Sequence, residues 1–145
     1  AAHKQAIVTL VERKSGYALI AKVSNKTSDL VSQAIITKLN AVTPLVKTLT
    51  FDNGKEFAEH ARIDTALKST TYFADPFASW QRGSNENFNG LLRQYIPKKR
   101  PLSTVTDKEL RMIQDQLNNR PRKRLGFKTP SEVFMQSLNR VALRV

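Results

Sequence analysis

The chain has 145 residues, the size of one domain, and carries 24 Lys and Arg against 12 Asp and Glu, a net charge of +12. It contains no Cys, which excludes a disulfide scaffold and a thiolate zinc site. No apolar run approaches the ~20 residues that cross a bilayer. With 40% hydrophobic residues the composition is globular, and the charge favours a polyanionic partner.

Ala6 to Val11 is apolar and β-branched, and predicts a buried strand. Tyr17 to Val23 predicts a second, joined to the first as a hairpin across Arg13 to Gly16. Thr27 or Ser28 can cap a helix in which Leu30, Val31, Ala34, Ile35 and Leu39 recur at helical spacing, before Pro44 breaks the pattern. Val46 to Phe51 reads as a third strand, ending at the turn signal Asp52-Asn53-Gly54. A helix over Glu56 to Leu67 and a short strand over Thr70 to Phe73 follow, then a loop from Ala74 to Gly83. Helices are expected from Ser84 to Tyr95, from a capping box at Thr106 and Glu109 to about Asn119, and from a second box at Thr129 and Glu132 to Leu138. The order indicates a mixed α/β layer with a helical C-terminal part.

The charge is uneven. Residues 1–85 hold 11 basic and 7 acidic residues, whereas residues 86–145 hold 13 basic and 5 acidic. Two runs dominate the second part, Pro97-Lys98-Lys99-Arg100-Pro101 and Arg120-Pro121-Arg122-Lys123-Arg124. Such runs fit either a solvated surface or a phosphate-contacting one. A basic segment ahead of an apolar stretch is lacking in Ala1 to Leu10, so no secretory leader is expected.

Two carboxylates stand out. Asp52 follows an apolar strand directly, where α/β sheets build sites, and it equally suits the first position of a turn. At ~100° per residue, Phe88, Leu91, Leu92 and Tyr95 share one face of their helix, and Glu86, Asn89, Gly90 and Arg93 share the other. Gly90 in mid-helix costs about 1 kcal/mol, so that face is expected to need close approach or polar contact. His3 and His60 read as inert. Trp80 suits a loop anchor or a base-stacking side chain.

Three segments carry a resemblance. The first is Thr50-Phe-Asp-Asn-Gly-Lys-Glu-Phe57. The second, residues 73–99, reads Phe-Ala-Asp-Pro-Phe-Ala-Ser-Trp-Gln-Arg-Gly-Ser-Asn-Glu-Asn-Phe-Asn-Gly-Leu-Leu-Arg-Gln-Tyr-Ile-Pro-Lys-Lys. The third is Leu117-Asn-Asn-Arg-Pro-Arg-Lys-Arg-Leu-Gly-Phe-Lys-Thr-Pro-Ser-Glu-Val-Phe134. In this order they resemble the motifs of bacterial DDE transposases of the IS-thirty insertion-sequence family, over nearly the whole chain.

The resemblance implies a ribonuclease-H-like α/β fold, a mixed sheet with flanking helices, as in retroviral integrase cores. It implies three carboxylates holding two Mg²⁺ (or Mn²⁺) ions that cut and join DNA strands by in-line phosphoryl transfer. Carried over by motif, Asp52 is the second carboxylate and Glu86 the third. The family's first Asp lies on a strand ahead of Ala6, so residues 1–145 are expected to be a catalytic core without its opening strand and inactive alone. Without that strand, the hairpin and the Asp52 strand are each expected to expose an unpaired edge. Gln81, Arg82, Asn89, Arg93, Lys98, Lys99, Arg100, Arg122, Lys123 and Arg124 are the expected DNA contacts. The implied partners are DNA and further copies of the chain, without a membrane, in the bacterial cytoplasm at the nucleoid. The alternatives are a non-catalytic DNA-binding remnant or interaction module that uses the basic C-terminal half, and a ribonuclease-H-type nuclease acting on RNA.

Overall fold

The computed structural model describes residues 5–12, 14–40, 46–51, 58–73, 83–137 and 143–144. β1 (Ala6–Val11) and β2 (Ala18–Val23) form an antiparallel hairpin, in register from Ala6 opposite Val23 to Val11 opposite Ala18. Its turn is built by Glu12, whose carboxylate accepts the backbone N–H groups of Lys14 and Ser15, and by Gly16 at φ +72°. Glu12 is buried in this role.

Strand alternation sends the hairpin's side chains into two cores. Leu10 and Val23 join Val31, Ile35, Leu39, Leu49, Ile63, Leu67 and Phe134 on one face. Val11, Ala18 and Ile20 join Phe88, Leu92, Ile96, Val105, Leu110, Ile113 and Leu117 on the other. The hairpin is therefore a layer between helices, with buried residues on both its faces.

On the first face lies α1 (Ser28–Asn40), capped by Thr27, whose Oγ1 accepts from Leu30 N at 3.3 Å. α2 (His60–Leu67) packs on it through Ile63 and Leu67. Arg62 ties the two helices, with one guanidinium nitrogen 2.6 Å from Asp29 and another 2.7 Å from Gln33. The helix expected from Glu56 begins at His60. Residues 52–57 lie outside the described ones, and Glu59 departs from helical geometry (φ −97°, ψ 32°) while its carboxylate accepts from Ser28 Oγ at 3.3 Å.

β3 (Val46–Phe51) and β4 (Thr70–Phe73) have the expected limits and pair in parallel, Thr48 opposite Thr70 and Phe51 opposite Phe73. Asp64 of α2 accepts from Thr71 N at 3.1 Å and Thr71 Oγ1 at 2.7 Å, fixing the entry to β4. The other edge of β3 takes β5 (Leu143–Arg144), also parallel. No strand was expected there, because two residues carry no readable alternation.

The second face is covered by α3 (Gly83–Tyr95) and α4 (Asp107–Asn118). Thr106 caps α4, its Oγ1 accepting from Glu109 N at 3.1 Å. The box is only half formed, because the Glu109 carboxylate turns to Arg100, at 2.6 and 2.7 Å. α5 (Pro130–Ser137) starts on the Thr129 cap, 3.1 Å to Glu132 N, with Pro130 as its first residue. It brings Phe134 flat against Tyr17, ring centroids 4.3 Å apart.

The fold is mixed α/β, but among the described residues its strands form two sheets, β1–β2 and β4–β3–β5, rather than one. Of the open edges expected on the hairpin and on β3, only that on β3 is corrected; among the described residues β1 pairs with β2 alone. β3 is paired on both sides. The outer edge of β2 is covered by amide side chains of α4: Asn118 bonds Ala18 N and O, each at 2.8 Å, and Gln114 Oε1 accepts from Ile20 N at 2.9 Å.

Candidate nucleic-acid interface

The two candidate carboxylates belong to different segments of the chain. β3 ends at Phe51, so Asp52 is the next residue, itself outside the described ones. Glu86 is in the first turn of α3, and its side chain lies outside the description, as do Gln81, Arg82 and Trp80 altogether. Among the described residues no three His, Asp or Glu side chains gather as a metal site.

Beyond Glu86, α3 divides by face as its periodicity demands. Phe88, Leu92 and the following Ile96 are buried, while Asn89, Gly90 and Arg93 are exposed. A Cβ at Gly90 would meet nothing within 4 Å among the described residues. Close packing among the described residues therefore does not account for this glycine. Arg93 donates to Ile96 O at 3.4 Å, a contact that leaves most of its guanidinium facing solvent.

The two basic runs border the C-terminal end of α3. Lys98 and Lys99 are exposed in the turn just after it. The second run is tied to the same helix by Arg120, whose Nη1 is 3.1 Å from Gln94 Oε1. Sequence reasoning counted Arg120 in the basic run but not among the DNA contacts, and only the helix packing brings it to α3.

The cations of these runs are not equivalent. Arg100 is held inside the fold by its two bonds to Glu109 and two more to Thr104. The pairing holds the Glu109 carboxyl below the usual glutamate range and raises Arg100. Arg122 is half-buried and donates to Leu117 O at 3.3 Å. Burial pushes its pKa down, and the neighbouring Arg120 and Arg124 push it further. Arg124 is exposed and reaches Lys14 O at 3.3 Å, fastening the basic loop to the hairpin turn. Lys123 is exposed.

This clustering is uncompensated in sequence as well, since no Asp or Glu occurs between Asp115 and Glu132. Like charges so placed repel unless an anion lies on them. The transposase for insertion sequence element IS4351 of Bacteroides fragilis is 48% identical over 137 residues, which are 94% of this chain and 42% of that protein.

This chain is homologous to insertion-sequence transposases of the IS30 kind.

The InsI transposase of element IS30A from Escherichia coli K12 is 49% identical over 129 residues, 88% of this chain and 34% of its own length. The transposase of element IS1086 from Cupriavidus metallidurans is 44% identical over 139 residues, 95% of this chain and 41% of its own. The chain thus spans between 34% and 42% of these transposases. No protein-family model matches it. No helix among the described residues is long and apolar enough to cross a membrane.

Proposed function

We propose that residues 1–145 are the catalytic part of a DNA transposase with a ribonuclease-H-like fold, joining and cutting strands at insertion-element ends. The observation that carries this reading is the similarity to transposases, 48% identity over 137 residues, 94% of this chain. Asp52 and Glu86 are assigned as two acids of a carboxylate centre, one from the end of β3 and one from α3. Their hard oxygen donors suit Mg²⁺ or Mn²⁺, and an ion held there would supply activation of the attacking oxygen and stabilisation of the leaving one.

The chain's own residues would do the rest. α3 is anchored by Phe88 and Leu92 and so presents Asn89 and Arg93 on a fixed outer face. Lys98, Lys99, Lys123 and Arg124 continue the positive surface, where a DNA backbone would lie. Arg100 and Arg122 are assigned to holding the loops.

The test is strand transfer by the longer transposase that carries this segment, with Asp52→Asn and Glu86→Gln. Each variant should lose about 10³-fold or more in rate, as removal of a metal-holding acid requires, while retaining DNA binding. Variants that transfer strands at the parent rate would overturn the assignment of these two acids, and no strand transfer by the parent would favour the non-catalytic DNA-binding reading.

A further inference from the structure

Phe127 is 70% exposed, more than any other large hydrophobic side chain among the described residues. Its backbone sits at φ +66°, next to Gly126 at φ +64°. An aromatic residue rarely takes this left-handed conformation, and where one is held there the surroundings must over-determine it. They do. Arg122 N bonds Lys128 O at 3.0 Å, Phe127 N bonds Arg122 O at 2.9 Å, and Gly126 N bonds Lys123 O at 3.0 Å. The loop is in turn fastened at two points, to α3 through Arg120 and Gln94 and to the hairpin turn through Arg124 and Lys14.

A rigid loop thus holds one bare ring in solvent, within a run containing Arg120, Arg122, Lys123, Arg124 and Lys128 and no acid. A protein hydrophobic patch would seldom be ringed by uncompensated charge of one sign. A strand of nucleic acid has the matching chemistry, an anionic backbone for the cations and a flat base for the ring.

We propose that Phe127 stacks on an unpaired base of bound DNA, with the flanking phosphates on Lys123 and Lys128. This deepens the DNA reading above and rests on it. The ring would select frayed or tailed duplex over intact duplex, which the cations alone would not do.

The test measures binding of the purified chain to a short blunt duplex and to the same duplex with a single-stranded tail carrying 2-aminopurine. Phe127→Ala should weaken binding to the tailed duplex about tenfold, the scale of one lost base–aromatic stack. Its affinity for the blunt duplex and its salt slope should not change. Phe127→Trp should keep the tail preference and quench the probe. Phe127→Gly separates function from folding: it relieves the positive φ, so the melting temperature should rise while the preference is lost.

Equal binding of Phe127→Ala and parent chain to the tailed duplex, with normal salt dependence, would overturn the stacking role and leave the DNA reading intact. So would a change in oligomeric state with no change in DNA binding, which would make the ring a contact between copies. No binding to either duplex at low salt would instead remove the DNA reading itself.

Discussion

Asn118 holds Ala18 through both polar groups of its backbone, Oδ1 accepting from the N–H and Nδ2 donating to the C=O, each at 2.8 Å. The side-chain amide thus stands where a neighbouring strand would, and it closes the outer edge of β2. Asn118 is only 3% exposed, so water cannot replace it. Asn118→Ala should destabilise the chain by about 2–4 kcal/mol, the cost of leaving a buried donor and acceptor unpaired. Chemical denaturation measures this, and a loss within error of zero would mean the edge is satisfied another way.

The Arg100–Glu109 pair sets an acid limit on stability. Hydrogen bonding to Arg100 lowers the Glu109 pKa below its ordinary value of 4.5. A carboxyl lowered on folding contributes stability that is fully present above its unfolded pKa and is lost as pH falls through the folded one. Melting temperatures should therefore be flat in this contribution near neutrality and decline below about pH 4.5. Glu109→Gln should show a shallower decline. The side chains are about one-third exposed, so the difference should also shrink in high salt.

Cations held inside the fold and cations left free should differ in DNA binding. Lys98→Ala and Lys123→Ala should each reduce the slope of log K against log salt by about one. Arg100→Ala should change the slope little and instead lower stability, because its guanidinium already bonds Glu109 and Thr104. Equal slope changes for all three would make Arg100 a phosphate contact after all.

The stacked Tyr17 and Phe134 rings fasten α5 to the start of β2. Phe134 is 4% exposed, and Phe134→Ala should cost about 3–5 kcal/mol. Phe134→Leu keeps most of the volume and should cost less than half of that. Thermal melts of the two variants check the ratio.

Much of this molecule was legible as local pattern. β3 and β4 have the limits that their β-branched runs predict, and α1, α3, α4 and α5 lie within a residue or so of their capping and periodicity signals. These signals are local, since a Thr that caps a helix does so within its own turn. The buried and exposed faces of α3 followed for the same reason. The part in Glu109 was half legible: the cap bond is local, but the carboxylate went to Arg100, nine residues away.

Other features could not be read in this way. Neither the split into two sheets nor β5 beside β3 leaves a periodic trace, because strand pairing joins residues far apart in the chain. Asn118 and Gln114 looked like polar helix residues, and only the packing of α4 against the hairpin, across about a hundred positions, turned them into an edge. Composition and motif alone showed a basic chain resembling transposases and pointed to Asp52 and Glu86 as candidate acids. Tertiary structure decided which cations are free, since a guanidinium already bonded to a carboxylate or a backbone carbonyl has fewer donors left for a phosphate. It also decided that Phe127 stands outside the core, because a closed loop in left-handed geometry turns the ring to solvent whatever its hydrophobicity.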